Sequence, residues 1–212
     1  MKMNNRRNLL IYRMWAPIYD RVAGRFMCPG RSRAMAVLNL QPGDRVLLVG
    51  VGTGADLPLL PPGVSAVGVD LSIHMLDKAR RKLPIVDREI HLVQGDAQEL
   101  LVEEGAFDAV IFNLILSVIP DGKTCLRENL RALKPGGRAV VFDKFLPDNR
   151  PLTIWRRILN FGTALFGTDI TRRFSDLVSD ESGIELLLDE PSILRGTYRV
   201  KLIAKKTDRR SL

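Results

Sequence analysis

Three glycines at alternate positions, Gly50, Gly52 and Gly54, follow directly on the apolar run Arg45 to Val49 in the stretch RVLLVGVGTGAD. Glycine permits a backbone with positive φ and lets a ligand lie against the main chain, here with Val51 and Thr53 between the glycines. Roughly 20 residues on, a second apolar run ends in Asp70, a spacing at which a carboxylate can accept both hydroxyls of a ribose. Together they describe a nucleoside site. The loop alone is a weak signal, and Gly50, Gly52 and Ala55 also satisfy the dinucleotide pattern G-x-G-x-x-G/A, which keeps a nicotinamide enzyme open at this point.

Two further runs also end in polar groups. HLVQGDA reaches Asp96, a carboxylate suited to the amino group of adenine, with the Ala97 amide beside it as a donor. FDAVIFN ends on the amide of Asn113. Polar residues at the ends of four runs suit the carboxyl edge of an open α/β sheet, where such sheets bind ligands. Cys28 and Cys125 have no Cys or His at metal-ligand spacing, so no metal site is expected and both read as reduced thiols. His74 and His91 have no partner visible in the sequence and read as structural.

The elements that must position these residues follow from periodicity. Arg45 to Val49, Ala66 to Val69, His91 to Val93, Ala109 to Asn113 and Arg138 to Phe142 are short apolar runs bounded by turn signals, as buried parallel strands require. Helical patterns lie between them: Met75, Leu76 and Ala79 share a face in Ile73 to Lys82, and Leu126, Leu130 and Leu133 do so in Lys123 to Leu133. This alternation predicts right-handed βαβ units. Ile184 to Leu188 and Tyr198 to Ala204 leave no room for a helix between them and predict an antiparallel hairpin at the sheet edge. Leu57-Pro58-Leu-Leu-Pro61-Pro62 allows only a short helix, because proline lacks a donor and clashes with the preceding turn.

From about Leu38 to Lys206 the chain resembles the class I S-adenosylmethionine-dependent methyltransferases, through VGVGTG, VGVDLSIHMLDKAR, GDAQEL, FDAVIFN and LKPGG in that order. The resemblance implies a doubly wound, mostly parallel seven-stranded sheet of Rossmann-like type ending in an antiparallel hairpin. It implies that S-adenosylmethionine is the cofactor and S-adenosylhomocysteine the product. Gly50, Val51, Gly52, Thr53 and Gly54 would line the methionine moiety, Asp70 would hold the ribose, Leu71 and Met75 would flank the adenine, and Asp96 with Ala97 would bind its edge. Asn113 would touch cofactor and acceptor. One departure is plain: the family places an acidic residue where this chain has Leu48.

The lead-in Tyr12-Arg-Met-Trp15-Ala-Pro17-Ile-Tyr19-Asp20 is similar to the Y-x-x-W-A-P-x-Y-D segment of bacterial phospholipid N-methyltransferases and their ubiquinone and menaquinone C-methyltransferase relatives. This implies a small amphipathic or lipid acceptor, foremost a phospholipid amine of phosphatidylethanolamine type. A quinone precursor, a nucleic acid, or a non-catalytic role suggested by Leu48 are the alternatives. Tyr12 and Tyr19 would close over the methionine end as a lid, Tyr19 touching the cofactor and both lining the acceptor site. Tyr19, Asp20 and Asp143 are candidates to hold a reacting group; Asp20 serves equally as a helix cap and Asp143 as a strand end. Asn113 is followed by Leu114-Ile115-Leu116 rather than a Pro-Pro-aromatic run, and three Tyr and two Trp offer little for stacking bases, which disfavours nucleic acid.

Charge adds one clue. Of the net +8, the segment Met1 to Arg33 carries Lys2, Arg6, Arg7, Arg13, Arg21, Arg25, Arg31 and Arg33 against Asp20 alone. In the insert, Trp155 and its apolar neighbours interleave with Arg150, Arg156 and Arg157, followed by Arg172 and Arg173. Such segments suit an anionic membrane interface, though a solvated or packed face explains them as readily. No stretch approaches the roughly 20 apolar residues of a membrane span, and the start has no signal-peptide core. The expectation is a cytoplasmic protein, peripheral at the inner membrane face. It is read as a single domain: a basic helical lead-in over 1–40, a cofactor-binding core over 41–146, a helical insert over 147–182 and the hairpin over 183–206.

Overall fold

The computed structural model describes residues 24, 26–85, 88–100, 102–146 and 171–207. Within these, seven strands form one sheet: β1 (Arg45–Val49), β2 (Ser65–Asp70), β3 (Ile90–Gln94), β4 (Phe107–Asn113), β5 (Leu133–Lys144), β6 (Ile184–Pro191) and β7 (Tyr198–Lys205), in the order β3-β2-β1-β4-β5-β7-β6. The pairs among β1 to β5 are parallel, and β7 runs antiparallel between β5 and β6. The strand order reverses between β1 and β4, the switch point where a doubly wound sheet opens a crevice at its carboxyl edge. The Rossmann-like sheet with its C-terminal hairpin is therefore as the sequence predicts.

Helix α1 spans 26–38 and turns Met27, Gly30, Arg31, Ala34, Met35 and Leu38 inward, the spacing of one buried stripe. Gly30 is required by close approach, because a Cβ there would stand 2.2 Å from the Phe142 ring. The helix ends at Asn39, whose φ of 50° and bond to the Met35 carbonyl form a left-handed cap. Helix α2 (Ile73–Arg80) starts on Ser72, whose hydroxyl accepts from the Met75 N–H. Helix α3 (Gly122–Arg131) is capped by Asp121 in the same way, through the Thr124 N–H.

These helices cover opposite faces. Leu48, Ile111, Val140 and Phe142 pack with α1, the 3-10 turn Leu57–Leu59 and α2. Leu47, Val110, Phe112, Val141 and Ile203 pack with α3 and with α4 (Phe174–Val178). Two predicted boundaries move. Leu133, assigned to a helix from its period, opens β5 instead, because it pairs with Phe107 and the Ala132 carbonyl accepts from the Phe107 N–H. The short proline-bearing helix after the glycine loop is a single 3-10 turn with proline in its first positions.

Candidate functional site

At the carboxyl end of β1 the chain enters the glycine loop, with Gly50, Gly52 and Gly54 at φ of 67°, 55° and 75°. Each glycine answers a different demand. A Cβ on Gly50 would lie 2.6 Å from Ile115, and one on Gly54 2.8 Å from Leu57, so both are held by packing. At Gly52 a Cβ would meet nothing closer than the Gly50 carbonyl at 3.9 Å, so its backbone faces open space. Val51 anchors the loop to β2, donating its N–H to the Val69 carbonyl and resting its side chain on Gly68.

Asp70, at the end of β2, is tied to that loop. Its Oδ2 accepts from the Gly52 N–H and its Oδ1 from the Ser72 N–H, both at 2.8 Å. Burial pushes the carboxyl pKa up, and the amides of Ser72 and Gly52 hold it down in part. Each oxygen keeps acceptor capacity beyond its one amide. Leu71 is half-buried beside it and Met75 is buried one turn into α2.

After β3, Asp96 accepts from the backbone and side-chain N–H groups of Gln98 at 2.9 and 3.0 Å. The buried Asn129 of α3 donates to the Ala97 carbonyl at 2.8 Å, fixing that turn against the sheet. Thr53 is buried within the glycine loop.

Asn113 ends β4 on the other side of β1, and the chain bends sharply there, with Leu114 at φ 62°. A bulky residue held in the left-handed region is strained, and such strain concentrates at functional sites. The Asn113 Nδ2 donates to Asp56 Oδ1 at 2.9 Å, while Arg31 from α1 pairs with Asp56 Oδ2. All three residues are buried, at 9% exposure or less. Asp56 is not among the residues that the motifs mark; its one signal in the sequence is a carboxylate inside the apolar stretch Ala55-Asp-Leu-Pro-Leu-Leu. Leu48, standing where the family carries an acid, is packed in the core at 1% exposure.

Curated relatives are similar over much of this chain. The phosphatidylethanolamine N-methyltransferase of Cereibacter sphaeroides is 37% identical over 150 residues, 70% of this chain and 73% of that protein. The chain belongs to the S-adenosylmethionine-dependent methyltransferases. The family described as a methyltransferase domain matches residues 47–141 of it. A demethylmenaquinone methyltransferase of Renibacterium salmoninarum is 35% identical over 132 residues, 59% of this chain but only 54% of that protein. Among solved structures, an S-adenosylmethionine-dependent methyltransferase of Thermotoga maritima superposes with a TM-score of 0.63 at 24% identity, covering 92% of this chain and 99% of its own, which shows the shared fold.

The remaining candidates in this methyltransferase fall into two groups. Tyr12, Tyr19 and Asp20 lie outside the described residues, as do the lid they would form and the Trp155 segment. Asp143 is fully buried on the opposite sheet face, packed on the α3 side, with its oxygens accepting from the N–H groups of Ser117 and Lys144 at 2.9 and 2.8 Å. That geometry gives it the work of a strand end. Arg31, Arg33 and Arg172, counted above among surface-binding cations, have internal partners: Arg31 meets Asp56, Arg33 meets Glu190, and Arg172 donates to the carbonyls of Leu116 and Pro120. His74 and His91 are exposed, and Cys28 and Cys125 are free thiols. Among the described residues no acidic, His and Cys cluster could hold a metal, and no helix is long and apolar enough to cross a membrane.

Proposed function

We propose that this methyltransferase moves a methyl group from S-adenosylmethionine to the amine of a phospholipid of phosphatidylethanolamine type. The observation that carries the acceptor is the 37% identity to a phosphatidylethanolamine N-methyltransferase across 73% of that protein. The lead-in motif around Trp15 and Tyr19 points the same way.

The residues present fit the cofactor. Asp70 has both oxygens oriented by backbone amides and acceptor capacity left for two ribose hydroxyls. Gly52 leaves open space against its main chain, and Asn113 Oδ1 is a buried acceptor with no partner. The strand order β3-β2-β1-β4 then suggests the lie of the ligand: adenine at Asp96 and Ala97, ribose at Asp70, methionine along Gly50 to Gly54 toward Asn113. When bound, the sulfonium supplies a methyl group activated for direct displacement. What the chain adds is orientation, with the nucleophile held in line and water excluded, and such positioning supplies much of a barrier reduction. A phospholipid amine must shed a proton before it attacks. Tyr19 and Asp20 are the proposed groups near it.

The proposed working place is the inner membrane face, where the cations of residues 1–25 would meet anionic lipid, each contributing about 1 kcal/mol at low salt. Purified protein incubated with methyl-labelled S-adenosylmethionine and vesicles of phosphatidylethanolamine and phosphatidylglycerol tests this. Label in N-methylated phosphatidylethanolamine is expected. Label found instead in menaquinone, formed from demethylmenaquinone added to the same vesicles, would move the acceptor to the quinone class, which the 35% identical relative favours.

A further inference from the structure

Asp56 and Arg31 have no role in the cofactor contacts above, yet they form a buried ion pair from elements 25 residues apart, closed by Asn113 of a third element. Replacing buried ion pairs by apolar residues is often neutral or stabilising, so stability is a weak reason for one to persist. The state of Asn113 offers a better one. Its Nδ2 donates to Asp56 while its Oδ1, equally buried, has no partner. Buried carbonyl oxygens in folded proteins nearly always have a partner, so an orphan at a ligand crevice marks a place where a ligand donor belongs.

Asp56 decides which end of the amide is the orphan. A flipped Asn113 would set its oxygen against a carboxylate and leave its NH2 in the place of the unpartnered oxygen, trading an acceptor for a donor. A primary amide donating to a carboxylate is also polarised, which makes its oxygen a better acceptor. Arg31 pairs with the second oxygen of Asp56 and so holds the carboxylate in place against the amide. Asn113 sits beyond the glycine loop from Asp70, on the side of β1 away from the nucleoside. On the cofactor placement proposed above, on which this step rests, the ribose hydroxyls face Asp70 and the adenine amino group faces Asp96. The donor left over is the α-ammonium of the methionine half.

We propose that Asp56, braced by Arg31, is a positioning residue that locks the Asn113 carbonyl oxygen as the acceptor for the cofactor's α-ammonium group. Its action is through Asn113 and not by contact. It also gives the loop a buried carboxylate in a chain that has Leu48 where its family carries an acid.

The test is calorimetry with S-adenosylhomocysteine and with its deaminated analogue, on wild type, on Asp56→Asn and on the paired replacement Arg31→Met with Asp56→Leu. The paired variant removes both charges of the buried pair together, which keeps the test open if Asp56→Asn fails to fold. The expected result is a loss of about tenfold or more for S-adenosylhomocysteine, one hydrogen bond to a charged group. The deaminated analogue should bind wild type and variants alike. Wild type should also lose affinity for S-adenosylhomocysteine as the ammonium deprotonates at alkaline pH, and the paired variant should not. Equal losses on both ligands would make the triad a structural brace and overturn the proposal, as would no loss on either. If wild type binds both ligands with the same affinity, the ammonium is not read and the proposal falls while the nucleoside placement stands. If wild type binds neither, the placement falls with it.

Discussion

Asp70 and Asp56 flank the same glycine loop and are held in opposite ways. Asp70 is gripped by two backbone N–H groups, from Gly52 and Ser72, whose positions follow from the local chain path. Asp56 is gripped by two side chains, Arg31 and Asn113, brought from α1 and from the end of β4. Backbone amides survive any substitution of the carboxylate and find water when it is gone. A buried guanidinium does not. The first carboxylate can therefore be devoted to a ligand with little effect on folding, while the second joins the fold and the site.

The largest expected effect breaks the Asp56 side of this comparison. Asp56→Ala removes one partner of a buried ion pair and should cost about 3–5 kcal/mol of stability, read from denaturant unfolding. Adding Arg31→Met should restore most of it. Were Asp56→Ala as stable as wild type, the pair would be spending its charge in water rather than in the core.

Next comes the loop between them. Gly52→Val puts a β-branched residue at φ 55°, with a backbone cost of roughly 1–2 kcal/mol, and fills the open space that the ligand needs. Binding of S-adenosylhomocysteine should disappear while a moderate loss of thermal stability leaves the protein folded. Normal binding by this variant would put the ligand elsewhere.

The pH dependence sharpens the contrast with a smaller effect. Burial raises the Asp70 pKa, so the contribution of that group to stability is fully present below the ordinary aspartate value of about 4 and is lost as pH climbs through the raised one. At neutral pH the ionised carboxylate costs the ligand-free protein some stability, which ribose donors would offset. S-adenosylhomocysteine affinity should accordingly weaken on acidification, starting above the ordinary aspartate range. The same acid limb should persist in the Arg31→Met, Asp56→Leu variant and vanish in Asp70→Asn. An acid limb lost in the paired variant would reverse the roles of the two carboxylates.

What could be read in advance follows the same division. The glycine loop, Asp70 and the strands around them were legible because strand, turn and spacing are local patterns, and β1 falls on the residues its apolar run marks. The C-terminal hairpin was legible from two strand-like runs too close together for a helix. Asp56 was not, although it stands two residues after Gly54, because its partners are 25 and 57 residues away. The partners of Arg172 were hidden for the same reason: a guanidinium beside an amphipathic segment suits a membrane surface or a packed face equally in the sequence, and the carbonyls of Leu116 and Pro120 that it meets lie more than 50 residues away. Leu133 kept a helical period but paired with Phe107, so sheet hydrogen bonding overrode periodicity.

Asp70→Ala with S-adenosylhomocysteine is the most direct measurement of where this methyltransferase holds its cofactor. Calorimetry on the variant, with circular dichroism and a melting curve to verify folding, should show affinity weaker by roughly 1.5–3 kcal/mol for each ribose hydrogen bond lost, about tenfold to a hundredfold for the first, with stability near wild type. An unchanged dissociation constant in the folded variant would remove Asp70, and with it the carboxyl-edge site, from the binding of S-adenosylmethionine.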